Sequence, residues 1–159
     1  MAERRINIDK EMVPFLKELT ESGSKHKIFV NMAQCMGFAA VYGYKNNKRE
    51  VVKKAPSGMV DPINYQIFEN NEIDNLFILM AMASSKDTKA RVLSNDEKSF
   101  NERATIFEEY AKGGLKLLQA KIKKHSNYLD HILEIILENI DAKDEENDDE
   151  PFDISILKI

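Results

Sequence analysis

The most regular pattern of apolar and polar positions in the chain lies between Ser94 and Ile122. Within it, apolar residues recur at steps of three or four, the period of an α-helix, at Phe100, Ala104, Phe107, Ala111, Leu115, Leu118 and Ile122. Ser94 and Glu97 have the spacing of a capping box, in which each side chain satisfies a backbone N–H of the first turn. The pattern therefore predicts a long helix that begins beside Ser94 and buries one face.

Two adjacent glycines, Gly113 and Gly114, interrupt this pattern. A glycine costs about 1 kcal/mol relative to alanine inside a helix, so the pair requires a structural reason. One interpretation is that the helix ends at Lys112 and that a second helix begins at Leu115. We favour a continuous helix whose bare backbone accepts a close neighbour, because the apolar period keeps its phase across the glycines.

The N-terminal segment predicts a strand followed by two helices. Residues 4–8 alternate polar and apolar side chains, as a half-buried strand does. Asp9 is placed to cap a first helix, and Ser24 to cap a second helix over residues 25–42. The same order occurs in a ribbon–helix–helix DNA-binding unit, in which the strands of two chains pair and face a groove. The competing interpretation is an edge strand or an extended arm on a helical domain.

Further helices are predicted from Asn71 and from Ser126 to about Ile140. The last of them has apolar residues on more than one face, which is typical of a helix that is central to a core or buried in a partner. We predict a mainly α fold, with one helical domain over residues 1–140 and a short N-terminal strand or arm. Whether the strand and the first two helices form a ribbon–helix–helix unit stays open at this point. A disordered acidic tail over residues 141–159 would follow.

The net charge of −4 conceals an uneven distribution. Residues 1–54 contain 11 Lys or Arg and 6 Asp or Glu, a net charge of +5. Residues 141–153 contain 8 acidic residues and one Lys, a net charge of −7. A segment so acidic cannot bury enough apolar surface to fold alone. The chain thus joins a basic N-terminal part to an acidic linker.

The basic N-terminal part predicts contacts to DNA. Lys and Arg supply most contacts to phosphates, which set affinity without reading sequence. The candidate DNA-binding residues form two short clusters beside predicted turns: Arg4, Arg5, Lys45, Lys48, Arg49, Lys53 and Lys54. The competing interpretation is that these side chains only form a solvated surface.

The sequence contains no recognisable catalytic or metal-binding motif. Its three histidines lack the spacing of a metal site. The single cysteine, Cys35, follows the apolar positions of the second predicted helix, so we interpret it as a packing thiol. The pair Glu108–Glu109 fits one solvated carboxylate and one ion pair to Lys112 better than the metal site of a nuclease. We therefore expect no catalytic residue, no metal and no cofactor, and hence no enzymatic activity.

The acidic linker leads to a short apolar end. Its candidate partner-binding residues are Phe152, Ile154, Ile156 and Leu157. An apolar peptide beyond an acidic tether suits docking into a groove of a partner protein, although it could equally fold back onto its own domain. The sequence shows no apolar run of membrane-spanning length and no signal peptide, and one cysteine cannot form an internal disulfide. We therefore expect a cytoplasmic protein without a membrane partner.

Residues 106–115 read Ile-Phe-Glu-Glu-Tyr-Ala-Lys-Gly-Gly-Leu. This segment resembles the FEEYANGGL-type segment of the DNA phosphorothioation-associated protein 4 family, which is encoded beside Dnd-type DNA sulfur-modification genes. Residues 4–6 (Arg-Arg-Ile), 43–45 (Gly-Tyr-Lys) and 48–49 (Lys-Arg) are also similar to the pattern of that family. The resemblance covers residues 4–120 and departs at Lys112, where the family pattern leads us to expect asparagine.

The resemblance implies a role beside DNA sulfur modification, or beside the linked restriction of unmodified DNA, more than it implies a chemical reaction. We therefore predict a non-catalytic, DNA-associated accessory protein of a bacterial phosphorothioation modification or restriction system. Its partners would be DNA and the protein components of that system. One alternative is a ribbon–helix–helix transcriptional regulator, which would be a homodimer. The other is a purely protein-binding assembly subunit, which would have no affinity for DNA.

Overall fold

The computed structural model describes residues 3–84, 93–122 and 127–146 of the chain. They form two short strands and six helices: β1 (Arg5–Ile6), α1 (Val13–Thr20), α2 (Met32–Lys45), β2 (Ile63–Asn64), α3 (Tyr65–Asn70), α4 (Asp74–Ser84), α5 (Glu97–Ile122) and α6 (Tyr128–Glu146). The predicted mainly helical fold with a short N-terminal strand is confirmed. The last helix continues beyond its predicted end at Ile140, and the predicted apolar C-terminal peptide lies outside the described residues.

The N-terminal strand pairs within its own chain. Arg5 and Ile6 of β1 lie antiparallel to Asn64 and Ile63 of β2. Farther along, the N-terminal segment pairs with a second part of the chain, where the Lys10 N–H donates to the Lys53 carbonyl at 2.8 Å. A ribbon–helix–helix unit would instead pair this strand with that of a second chain. The structure therefore supports the edge-strand interpretation of residues 4–8.

The two N-terminal helices begin later than predicted. Helix α1 starts at Val13 after Met12, which makes no side-chain capping bond, so the prediction that Asp9 caps it is wrong. Helix α2 starts at Met32, and the Asn31 side chain accepts the capping hydrogen bond from the Gln34 N–H at 2.9 Å. The Ser24 hydroxyl, the predicted cap, instead donates to the Glu18 carbonyl of α1.

The middle of the chain also differs from the prediction. Helix α3, which is not among the predicted helices, begins at Tyr65 behind an Asn64 cap. Asn71, the predicted start of the next helix, ends α3, and α4 begins at Asp74. These short helices bring Phe68 and Phe77 onto α5, where Phe77 stacks on Phe107 with ring centroids 4.0 Å apart.

Helix α5 is continuous through both glycines, as predicted, and packs mainly against α2. An added Cβ at Gly114 would overlap the Ala39 carbonyl oxygen, and one at Gly113 would overlap the Lys48 carbonyl oxygen. Gly43 of α2 meets α5 equally closely, because its added Cβ would overlap the Tyr110 carbonyl oxygen. Gly43 and Gly114 therefore allow the backbones of α2 and α5 to touch, and Gly113 allows the segment after α2 to approach α5 equally closely.

The predicted capping box of α5 is wrong in its details. Asp96 takes the capping position, because its Oδ1 accepts a hydrogen bond from the Ser99 N–H at 2.8 Å. The Ser94 hydroxyl donates to the same Asp96 carboxylate instead of to the helix. These bonds hold the pKa of Asp96 well below its usual range.

Candidate nucleic-acid interface

The seven predicted DNA-binding side chains are all at least partly exposed. They belong to residues 4–5 and to the segment 45–54, which follows α2 and runs antiparallel to part of the N-terminal strand. They form separate groups rather than one continuous patch. Arg4, for example, contacts Phe100 of α5, whereas Lys45 contacts Asn139 of α6.

Arg4 and Arg5 lie at the N-terminal end of α5. The Arg4 guanidinium lies over the Phe100 ring, 4.4 Å from its centroid, and also donates to the Asn95 carbonyl at 3.1 Å. Arg5 forms an ion pair with Glu3, with 2.5 Å between Nη2 and Oε2. One of the two charges is thus held against the domain, and the other is matched by a neighbouring carboxylate.

Lys48 and Arg49 lie beside the middle of α5 and are also matched by acids. Lys48 Nζ lies 3.1 Å from a Glu50 carboxylate oxygen. Arg49 donates to the Glu109 carboxylate and lies over the Tyr110 ring, 5.7 Å from its centroid. Both side chains remain partly exposed, so the ion pairs are of the surface type that contributes little to stability.

Lys53 and Lys54 lie where the chain runs antiparallel to residues 8–10. Lys10 and Lys53 face each other across a backbone hydrogen bond, and Lys54 is paired with Asp9 in an isolated bridge. Lys53 approaches Glu11 at 3.9 Å, at the limit of an ion pair. Sequence reasoning missed Lys10, because its place beside Lys53 depends on the long-range pairing of two segments.

Lys45 lies apart from the other groups. It ends α2, and its Nζ lies 3.4 Å from the Asn139 carbonyl of α6. Of the seven predicted residues, Arg5, Lys48, Arg49 and Lys53 thus have an acidic partner, whereas Arg4 and Lys45 bind carbonyls.

Glu108 and Glu109 have different partners from those the sequence suggested. Glu108 is buried, and its Oε1 accepts hydrogen bonds from the Asn7 backbone N–H at 2.6 Å and from the Asn7 side-chain amide at 3.1 Å. Burial raises the pKa of Glu108 despite these bonds. Glu109 pairs with Arg49, so neither carboxylate is the partner of Lys112.

Lys112 forms a buried ion pair with Asp9, with 2.9 Å between Nζ and Oδ2. The Lys112 ammonium also donates to the Val51 carbonyl at 2.7 Å, and the Asp9 carboxylate accepts the Lys53 and Glu11 backbone N–H groups. Burial acts to raise the pKa of Asp9, but the hydrogen bonds from Lys112 and the two backbone N–H groups outweigh it and lower the pKa. The buried charge of Lys112, which stands where the family pattern led us to expect asparagine, is therefore balanced by Asp9.

The sequence matches a known protein family over most of its length. The family described as DNA sulphur modification system-associated protein 4 matches residues 5–156. The chain belongs to this family. Membership associates it with a DNA sulphur modification system, and the match includes every strand and helix described above. No curated protein and no solved structure matches the chain.

The structure also bears on the cysteine, on metal binding and on membrane spans. Cys35 is buried in α2, and burial raises the pKa of its thiol above the usual range. Across residues 3–84, 93–122 and 127–140, no three His, Cys, Asp or Glu side chains are grouped so as to hold a metal ion. Among the described helices, none combines the length and apolar character needed to cross a membrane.

Proposed function

We propose that this protein is a non-catalytic accessory component of a bacterial DNA phosphorothioation modification or restriction system. In this role it binds DNA through its basic N-terminal part and recruits protein components of the system through α6 and the C-terminal peptide. Family membership supports the association with the system. The observation that carries the DNA-binding part is the pairing of Lys10 with Lys53 across two antiparallel backbone segments, with Lys54 next in the chain.

These three lysines are suited to contact phosphates. All three are exposed, and Lys53 is only weakly engaged by Glu11 at 3.9 Å. Paired backbone segments hold their Cα atoms in place, so binding would order only the flexible ends of the side chains. Arg49 and Lys48 would add contacts by exchanging a carboxylate for a phosphate, at small cost in stability.

A purely protein-binding subunit is the second candidate, and the acid partners of four predicted DNA-binding residues favour it. The regulator alternative requires a strand shared between two chains, whereas β1 pairs with β2. Deleting residues 1–8 tests that alternative, because a dimer that depends on this strand would become a monomer in light scattering.

DNA binding is tested by fluorescence titration of a labelled duplex at low salt. We expect binding that weakens as salt rises, because bound lysines release counterions from the phosphates. Two triple variants are compared: Lys10→Glu with Lys53→Glu and Lys54→Glu, and Lys45→Glu with Lys48→Glu and Arg49→Glu. Both should lose affinity, and the first should lose more.

The matched control replaces three at least partly exposed lysines outside the candidate interface, Lys17, Lys25 and Lys27, with Glu. It changes net charge equally, so equal losses in the control and the variants would indicate a general charge effect without a defined interface. Absence of binding by the unaltered protein at low salt would contradict the DNA-binding part and favour the protein-binding subunit.

A further inference from the structure

Helix α6 carries an apolar stripe that is exposed in the described part of the chain. Leu129, Leu133, Ile136 and Ile140 are spaced by four, three and four residues, and each is between 36% and 53% exposed. At about 100° per residue these side chains fall within one narrow sector of the helix. A 4-3-4 spacing is the spacing of a seam between two packed helices.

The same helix has a separate face that packs on the domain. Tyr128, Ile132 and Ile135 are buried, and the Tyr128 hydroxyl donates to Glu18 of α1 at 3.0 Å. The inward face therefore accounts for how α6 is attached. The stripe at Leu129, Leu133, Ile136 and Ile140 is additional, and the attachment of α6 does not explain it.

The C-terminal half of the stripe, Ile136 and Ile140, lines one side of an open groove, and α2 lines the other. Val41 and Phe38 of α2 lie opposite Ile136 and Ile140, and the cavity between them measures about 300 Å³. Lys45 closes the end of the groove, with its amine against the Asn139 carbonyl. A groove between two helices with an apolar floor is the form that accepts a third, amphipathic helix.

The charges beside the stripe select the occupant. On the flank that faces away from α2, the exposed acids Asp130, Glu134 and Glu138 follow one another at steps of four residues. Charges that flank an apolar seam determine which helix can pair with it. A helix lying on this stripe would therefore carry Lys or Arg on the edge next to these acids.

A second copy of the chain does not meet this requirement. In an antiparallel pair of α6 helices the acidic flank would face itself, and like charges across an interface are unfavourable. In a parallel pair the acidic flank would face the side of the copy that already packs on α2. The chain's own C-terminal peptide is also a poor occupant, because it follows a linker with a net charge of −7 over residues 141–153.

We infer that the groove between α2 and α6 binds an amphipathic helix of a partner protein, with Leu or Ile on one face and Lys or Arg along the edge beside Glu134 and Glu138. This inference rests on the partner-recruiting part of the proposed function, and Lys45 is the one candidate DNA-binding residue that lines the groove. It adds the chemistry of the partner to what that proposal states.

The test uses the full chain and two synthetic three-heptad peptides with an identical leucine seam. One peptide carries Lys on its flank and the other carries Glu at the same positions. In fluorescence anisotropy we expect the Lys peptide to bind and the Glu peptide to bind at least about tenfold more weakly, which corresponds to about 1.4 kcal/mol. Leu133→Glu should abolish binding of the Lys peptide, whereas Leu79→Glu, at an exposed apolar position of α4, should leave it unchanged.

Charge reversal provides the second arm of the test. Glu134→Lys combined with Glu138→Lys should invert the preference between the two peptides. The matched control, Glu21→Lys with Glu69→Lys, alters the net charge equally at exposed positions elsewhere and should not invert it.

Three results would overturn the inference. One is equal or absent binding of both peptides. Another is an unaltered protein that is dimeric in light scattering and becomes monomeric with Leu133→Glu, since a second copy would then cover the stripe. The third is binding that appears only after residues 151–159 are removed, since the chain's own peptide would then occupy the groove. The DNA titration is separate, so loss of peptide binding with DNA binding intact would remove this inference alone.

Discussion

Two helices of this protein use their side chains in opposite ways. In residues 107–115 of α5, every residue but Glu109 is buried, and even the charged side chains have fixed partners. In residues 129–140 of α6, only Ile132 and Ile135 are buried, and the other apolar side chains face outward. The segment that resembles the family pattern is therefore the segment that assembles the fold, and it offers little to a partner.

The largest effect should come from breaking the buried ion pair. Lys112→Met leaves the Asp9 carboxylate buried without its cation, so we expect a loss of about 3–5 kcal/mol in the free energy of unfolding. Urea denaturation measures it. Lys98→Met, an exposed substitution on the same helix, serves as the control and should change stability by less than about 0.5 kcal/mol.

Combining Lys112→Met with Asp9→Asn should recover part of this loss, because the second change removes the uncompensated charge. Additive losses from the two substitutions would show that the two side chains do not act as a pair, and would contradict the interpretation.

The next effect tests the backbone contact between α2 and α5. In Gly114→Ala the new methyl group would overlap the Ala39 carbonyl, and backbone cannot give way as a side chain can. We expect a loss of about 3 kcal/mol in stability. Gly37→Ala is the matched control in α2, because its Cβ would meet the Ile73 Cγ2 at 2.9 Å, a side chain that can turn aside. A gain in helix propensity of about 1 kcal/mol should offset that contact. Similar losses at both positions would contradict a special approach at Gly114.

A smaller effect concerns how the contribution of Glu108 to stability changes with pH. Its pKa is raised in the folded state, so the folded protein keeps a proton that the unfolded chain has lost. The stability contributed by this group is therefore present at low pH and is lost as pH rises through the folded pKa. Glu108→Gln keeps an acceptor for Asn7 and removes the titration.

The variant should therefore gain stability relative to the unaltered protein as pH rises from about 4 to about 8, with no difference at the acid end. Thermal unfolding at a series of pH values measures the difference. A variant whose relative stability falls with rising pH would show that the charged form of Glu108 is favoured in the fold.

The smallest effect is expected on α6. Leu137 is 57% exposed, so Leu137→Ser should alter the free energy of unfolding by less than about 0.5 kcal/mol. Ile132→Ser, on the buried face of the same helix, should cost several times more and serves as the comparison. A large loss at Leu137 would mean that the domain itself uses the outward face, and the contrast between α5 and α6 would weaken.

Local periodicity was enough to predict the main helix and its glycine contact. The apolar positions from Phe100 to Ile122 lie on one face of α5, and keeping their phase across Gly113 was sufficient to predict continuity. Cap positions were predicted less well, because several polar residues near each start can cap equally well in sequence. Tertiary bonds decided the start of α2, since the Ile28 and Phe29 N–H groups bind the Leu19 carbonyl and keep that segment out of the helix.

The candidate interface was predictable in composition but not in charge balance. The basic residues are exposed, as Lys and Arg usually are. Arg5 and Lys48 have acidic partners two positions away, but the partners of Arg49 and Lys53 come from distant parts of the chain. Glu109 pairs with Arg49, which is 60 residues away in the sequence, and the Lys112 side chain pairs with Asp9, which precedes α1. No periodicity within one element contains that information, because such pairs exist only once the fold is complete.

The hydrogen bonds between Asn7 and Glu108 also constrain how the protein is made. These residues are 101 positions apart, so the first strand is synthesised long before its buried partner exists. At about 5–20 residues per second on the ribosome, the delay is roughly 5–20 seconds. During that interval the apolar side of α1 and α2 has no α5 to cover it. The N-terminal half must therefore stay soluble on the ribosome, alone or held by a chaperone, until α5 has emerged.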